Sequence, residues 1–234
     1  MQRRNFNQAG LSALGLLVIA TYRHAHALTL GDLSNADAGK GLKTALEKGV
    51  LAAVAVLGKT DGFLGNPKVR IALPGYLEDA AKLLRNFGQG KRIDELTTSI
   101  NRAAETAVPM GKDLLVSAVR SMNVNDAKNI LSGGETSVTR FFAEKTRAAL
   151  RIKFLPVVTQ ATAKVGLAQK YNEFAGSAAG FGLIKKEDAN IEQYVTGKSL
   201  DGLYLTIGEE EKKIRQDPLA TGSAILQKVF GALK

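Results

Sequence analysis

The stretch that decides the fold runs from Asp126 to Pro156, DAKNILSGGETSVTRFFAEKTRAALRIKFLP. Gly133-Gly134 interrupts it. Glycine loses more backbone entropy on ordering than any other residue, so the pair ends a short helix at Asp126–Leu131. Glu135 and Thr136 follow and suit the start of a new helix, where unpaired N–H groups need acceptors. Beyond them Val138, Phe142, Ala149 and Ile152 recur on one helical face, with Phe141, Ala148 and Leu155 beside it. So wide an apolar band fits a central helix. Arg140, Glu144, Arg147 and Arg151 occupy the other side, with Arg140 and Glu144 spaced for an i,i+4 pair. Aromatic residues make up only 6% of the chain, so the adjacent Phe141 and Phe142 are expected to anchor the core. Pro156 is expected to stop or kink the helix.

Working outward, the same periodicity recurs. Ser34, Asn35 and Asp37 offer N-caps to a helix reaching about Leu57, with Leu42, Leu46, Val50, Ala53, Val54 and Leu57 inward. Gly41 and Gly49 in this helix permit close approach of a neighbour, as does Gly39. The segment TDGFLGNP, residues 60–67, is rich in turn dipeptides and reads as a loop tucking Phe63 and Leu64 under the core. The sharper reading is a lip over a ligand site. Val69, Ile71 and Leu73 alternate, as in a short extended segment. Pro74 opens a helix to Phe87. A long helix spans Ile93 to Met122, bent at Pro109. After Pro156 the chain stays helical to about Gly166, followed by a glycine- and alanine-rich crossing or loop. Asp188 or Asn190 caps the next helix, whose run Glu209-Glu210-Glu211-Lys212-Lys213 reads as a solvated side. Asp217-Pro218 ends it, and Ile225–Leu233 closes the chain. The expected class is all-α, a single-domain irregular bundle of about seven to nine helices over residues 28–234, with at most a minor extended segment.

Residues 1–27 have the layout of an export signal: Arg3-Arg4, an apolar run Ala9–Ala20, and Ala25-His26-Ala27 as an A-x-A cleavage site. RRNF resembles a twin-arginine export motif, the alternative being an ordinary secretory signal with chance arginines. Cleavage after Ala27 and a periplasmic location are therefore expected. Losing Arg3, Arg4 and Arg23 takes the formal charge from +10 to +7. Both histidines, His24 and His26, leave with the leader, and the chain has no cysteine. Without imidazole or thiol, Ser-His-Asp and Cys-His nucleophilic catalysis have no residues to work with. Zinc, copper and haem lose their usual ligands as well, so no cofactor and no metal site are expected. Without cysteine there is also no lipobox and no disulfide.

The segments DLSNADAGKGLKTALEKG, DGFLGNPKVRIALPG, NRAAETAVP, DAKNILSGGETSVTRFF and LDGLYLTIGEEEKKIRQDP resemble an exported bacterial family known as domain of unknown function forty-one ninety-seven. The resemblance runs from about Leu30 to Phe230. It implies a helical fold and an envelope location, and it implies no activity.

Two constellations carry candidate chemistry. Asn101, Arg102 and Glu105 fall within one helical turn. Pointing inward they form a polar cluster able to bind a ligand; pointing outward they make a surface pair worth a few tenths of a kcal/mol, the expected reading. Gly133–Ser137 has the form of an anion site at a helix N-terminus, but Glu135 fills it with its own charge. The ligand-binding candidates are therefore Asn101, Arg102, Glu105, Phe141, Phe142 and Phe63, with no catalytic residue assigned. The expected function is non-catalytic: binding an apolar or lipid-like ligand, or a protein partner, in the envelope. Nucleic acid and a transmembrane segment are not expected. The alternative is a carboxylate-dependent glycan hydrolase using Glu105, Glu135 or Glu173, since such chemistry needs only Asp and Glu.

Overall fold

The computed structural model describes residues 28–171, 174 and 191–233. Eight α-helices follow one another: α1 Asn35–Leu57, α2 Gly75–Asn86, α3 Gly90–Met110, α4 Lys112–Ser121, α5 Ala127–Ser132, α6 Ser137–Lys164, α7 Ile191–Gln216 and α8 Ala224–Gly231. Residues 167–171 are helical too, and single 3-10 turns lie at Leu30–Asp32 and Leu219–Thr221. Among the described residues there is no strand, and the all-α bundle is as the sequence leads one to expect.

α7 is the hub. It packs along α1 on one side and α6 on the other, and α3 lies against α6. The C-terminal α8 returns to α1, where Lys228 reaches Asp37 at 2.7 Å. Leu42, Leu46, Val50, Phe142, Phe154, Leu203, Ile207 and Phe230 meet in one continuous core. Close approaches depend on missing side chains. A Cβ on Gly41 would lie 2.6 Å from Val229, and one on Gly202 2.7 Å from the Phe63 ring. Gly39 faces open space and has no such role.

Ser34 caps α1 as expected, its Oγ accepting from the Asp37 N–H at 3.0 Å. The double-glycine break also stands where expected, with Gly134 at φ 105°. Three expectations need correction. First, the helix Asp126–Leu131 is Ala127–Ser132. Second, the long helix through Pro109 is two helices, divided at Gly111 instead of bent at the proline. Phe154 of α6 fills the space a side chain would need there: a Cβ on Gly111 would sit 1.9 Å from the ring. Third, α6 runs through Pro156 for two further turns. The proline is exposed, as is Ile152 four residues before it, so the turn that loses a hydrogen bond lies on the solvent side of the helix. Ile152 itself is 75% exposed, not on the buried face. The candidate caps Asp188 and Asn190, and most of the glycine- and alanine-rich segment, lie outside the described residues.

Candidate functional site

Among the described residues two glutamates are buried, and each does the same job. Glu105 of α3 is 4% exposed. Its Oε1 accepts from the backbone N–H groups of Phe63 and Leu64, both at 3.0 Å, and its Oε2 from Arg102 at 2.6 Å. Arg102 also reaches Asp61 at 2.8 Å. Both carboxylates raise the Arg102 pKa above its ordinary value, with the Glu105 hydrogen bond the larger cause. Asp61 sits at φ 63°, a left-handed conformation uncommon outside glycine. One turn earlier on α3, the Asn101 amide accepts from Ile71 N–H and donates to Ile71 C=O, each at 2.8 Å. The expected extended segment at Val69–Leu73 is instead a turn through Val69, whose N–H donates to Asn66 C=O, followed by irregular backbone that Asn101 pairs with; Val69, Ile71 and Leu73 are all buried. A second donation to Thr97 C=O at 2.8 Å completes the amide.

The expected surface pair is therefore a buried clamp. Asn101, Arg102 and Glu105 come together with the loop at 58–74, and Phe63 of that loop is fully buried against Gly202. The sequence offered this reading, because Ile93, Leu96, Ile100, Ala103, Ala104 and Ala107 put Asn101 and Glu105 within the inward face.

Glu211 is the residue the sequence missed. Read as part of a solvated run, it is 3% exposed. It accepts from Val138 N–H at 3.1 Å, Thr139 N–H at 2.7 Å and the Thr139 hydroxyl at 2.8 Å. Arg215 donates to it at 2.8 and 2.9 Å, and to Leu131 C=O and Ser137 Oγ, both at 2.9 Å. The N-terminus of α6 is thus capped from α7, not by Glu135 or Thr136. Glu135 is exposed and reaches only Lys212, at 3.7 Å. A carboxylate at a helix N-terminus has both free donors and the helix dipole in its favour. The signal was the spacing Ile207, Glu211, Ile214, which puts the carboxylate on the buried face.

The two phenylalanines separate. Phe142 is fully buried and meets the Tyr204 ring edge-on at 5.7 Å. Burial is the main cause raising the Tyr204 pKa, against a smaller lowering by its hydrogen bond with Thr146. Phe141 is half-buried and lines a groove of about 640 Å³ between α4, the turn at 122–126, α5 and α6. Leu114, Met122, Ile130 and Leu150 share its apolar wall. Lys145 and Lys153 stand at its edge, Lys145 with its ammonium 5.8 Å from the Phe141 ring centre. Asp126 is the one carboxylate among the described residues that line the groove, and it accepts from Asn129 at 2.6 Å. Among the six candidates, Phe141 alone lines this groove.

Among the described residues no cluster of three or more His, Cys, Asp or Glu is placed to hold a metal ion. The model of the protein family of unknown function DUF4197 matches residues 32–231. The chain belongs to that family. No curated protein and no solved structure matches it. The DUF4197 match spans every helix named above, from α1 to α8.

Proposed function

We propose that this DUF4197 protein is a non-catalytic binding protein of the bacterial envelope that holds a single-chain anionic amphiphile, such as a fatty acid. The groove lined by Phe141 carries the reading. Its volume falls in the range of small-molecule sites. Its wall joins an apolar part, Leu114, Met122, Ile130, Phe141 and Leu150, to a polar part that includes Lys145 and Lys153, a division that matches a tail and an anionic head. The leader-like residues 1–27 support an envelope location. A carboxylate-dependent glycan hydrolase has less support. The Glu105 carboxylate is committed to Phe63, Leu64 and Arg102, and Glu135 is an exposed residue beside Lys212. Glu173 lies outside the described residues.

Native mass spectrometry of gently purified full-length protein tests co-purification of such a ligand. Titration with the fluorescent fatty acid cis-parinaric acid measures it directly. Saturable binding is expected, weakened roughly tenfold in Lys145→Ala/Lys153→Ala, as for loss of charge-assisted contacts. Absence of saturable binding by the purified chain, or equal affinity for the methyl ester, sinks the reading. Localisation is tested by N-terminal sequencing of the product recovered from the periplasmic fraction.

A further inference from the structure

The outer face of α6 is built differently from the rest of the surface. Phe141, Ala148, Ile152 and Leu155 form a stripe along about 20 Å of helix, at 1.5 Å per residue. Ile152, with most of its surface in water, is the most exposed large apolar side chain described in the protein. Basic residues flank the stripe on both sides. Lys145 and Lys153 lie along one edge; Arg140, Arg147 and Arg151 lie along the other. Between Arg140 and Lys153 these five cations face a single carboxylate on the same helix, Glu144. The three arginines line a second groove of about 660 Å³, with Leu200 of α7 in its wall. Arg147 is held in place, donating to Asp201 at 2.5 Å and lying 4.8 Å from the Tyr204 ring centre. Arg140 and Arg151 have no ion-pair partner among the described residues, although Glu144 is four residues from Arg140.

An apolar stripe between two cationic rows is the pattern of a helix that lies in the head-group region of a bilayer. Insertion across the membrane is not what this face is for: among the described residues no helix is long and apolar enough to cross one. We propose that the outer face of α6 docks the protein on an anionic lipid bilayer, with Ile152 entering the head-group boundary and the arginine groove seating lipid phosphates. Charge complementarity selects this occupant. With one large side chain fully outside, attraction to anionic head groups supplies most of the affinity. The face shares Phe141, Lys145 and Lys153 with the groove beside Phe141, but Arg140 and Arg151 line only the second groove, so they test this assignment separately.

The experiment is co-sedimentation of the full-length protein with vesicles of phosphatidylglycerol and phosphatidylcholine, compared with phosphatidylcholine alone. Binding only to the anionic vesicles is expected, decreasing with salt. Arg140→Gln/Arg151→Gln is expected to lower the partition coefficient roughly thirtyfold, about fivefold for each cation removed. Arg140→Lys/Arg151→Lys, which keeps both charges, is expected to bind like the parent. Ile152→Asp, at an exposed site that the core does not need, is expected to weaken binding at every salt concentration. Circular dichroism of each variant checks that the helices are intact. Equal binding to neutral vesicles, or no loss in the double glutamine variant, overturns the proposal. So does retention on soluble polyphosphate without any vesicle binding, which would make the face a polymer site. A dimer in light scattering that Ile152→Asp dissolves would make it a contact between copies and also overturn it. Parinaric acid affinity is expected to be unchanged in Arg140→Gln/Arg151→Gln, which separates failure here from failure of the fatty-acid reading.

Discussion

Replacing Glu211 by alanine removes the cap of α6 and the partner of Arg215 in one step. Two backbone donors, Val138 and Thr139 N–H, lose their acceptor, as does the Thr139 hydroxyl. Each buried donor left without a partner costs about 1–3 kcal/mol. Arg215, 15% exposed, keeps Leu131 C=O and Ser137 Oγ but loses its counter-charge. Breaking a buried pair from one side costs about 3–5 kcal/mol. The two penalties share the same relaxation and do not add, so the expected loss is about 4 kcal/mol. For a chain of this size, at about 2–4 °C per kcal/mol, the midpoint falls by roughly 12 °C. Urea unfolding followed by circular dichroism measures it. Glu211→Gln keeps one acceptor oxygen and is expected to cost about half as much. In Glu211→Ala/Arg215→Met the stranded charge is gone, and part of the loss should return. A loss under about 1 kcal/mol in Glu211→Ala would refute the claim that α6 is capped from α7.

Asn101→Ala leaves Ile71 N–H and C=O without partners and is expected to cost about 2–3 kcal/mol, with limited proteolysis shifting to the loop at residues 58–74. Gly111→Ala drives a methyl into the Phe154 ring; a loss of about 3 kcal/mol is expected, and Phe154→Leu should recover much of it. Ser199, fully buried with no hydrogen-bond partner for its hydroxyl among the described residues, is expected to tolerate alanine with a gain of about 1 kcal/mol, read as a higher urea midpoint. Tyr194 and Tyr204 both hold their protons above the ordinary phenol pKa, burial being the first cause of each. A folded-state pKa above the unfolded one contributes stability that is fully present below about pH 10 and is lost as pH rises through the folded value. Absorbance titration should show late phenolate signals that are absent in Tyr194→Phe/Tyr204→Phe.

Helix positions followed from the sequence wherever a local cause sets them. The turn at Gly133-Gly134 needs a backbone that only glycine adopts cheaply, and Ser34 caps a donor three residues away. Pro156 was misjudged because its cost depends on its surroundings: both Pro156 and Ile152 are exposed, so the turn that loses a hydrogen bond lies on the solvent side of α6. The division at Gly111 comes from Phe154, forty-three positions later in the chain, which no local pattern could reveal. Charge misled most at Glu211 and Glu105. Carboxylates usually mean water, but here each meets two backbone donors and an arginine. The helical period carried the correct sign at both positions, and residue type outweighed it. The groove beside Phe141 was beyond periodicity, since it needs α4, α5 and α6 placed together.

The first turn of α6 is completed by a residue seventy-two to seventy-three positions downstream, and α1 finds its neighbours in the last two helices. Synthesis proceeds from the other end. A ribosome-bound chain that has not yet released Glu211 and Phe230 lacks the parts that close both its middle and its beginning. Both ends of the bundle therefore close only once α7 and α8 are free to pack, and the order of synthesis runs opposite to the order of closure.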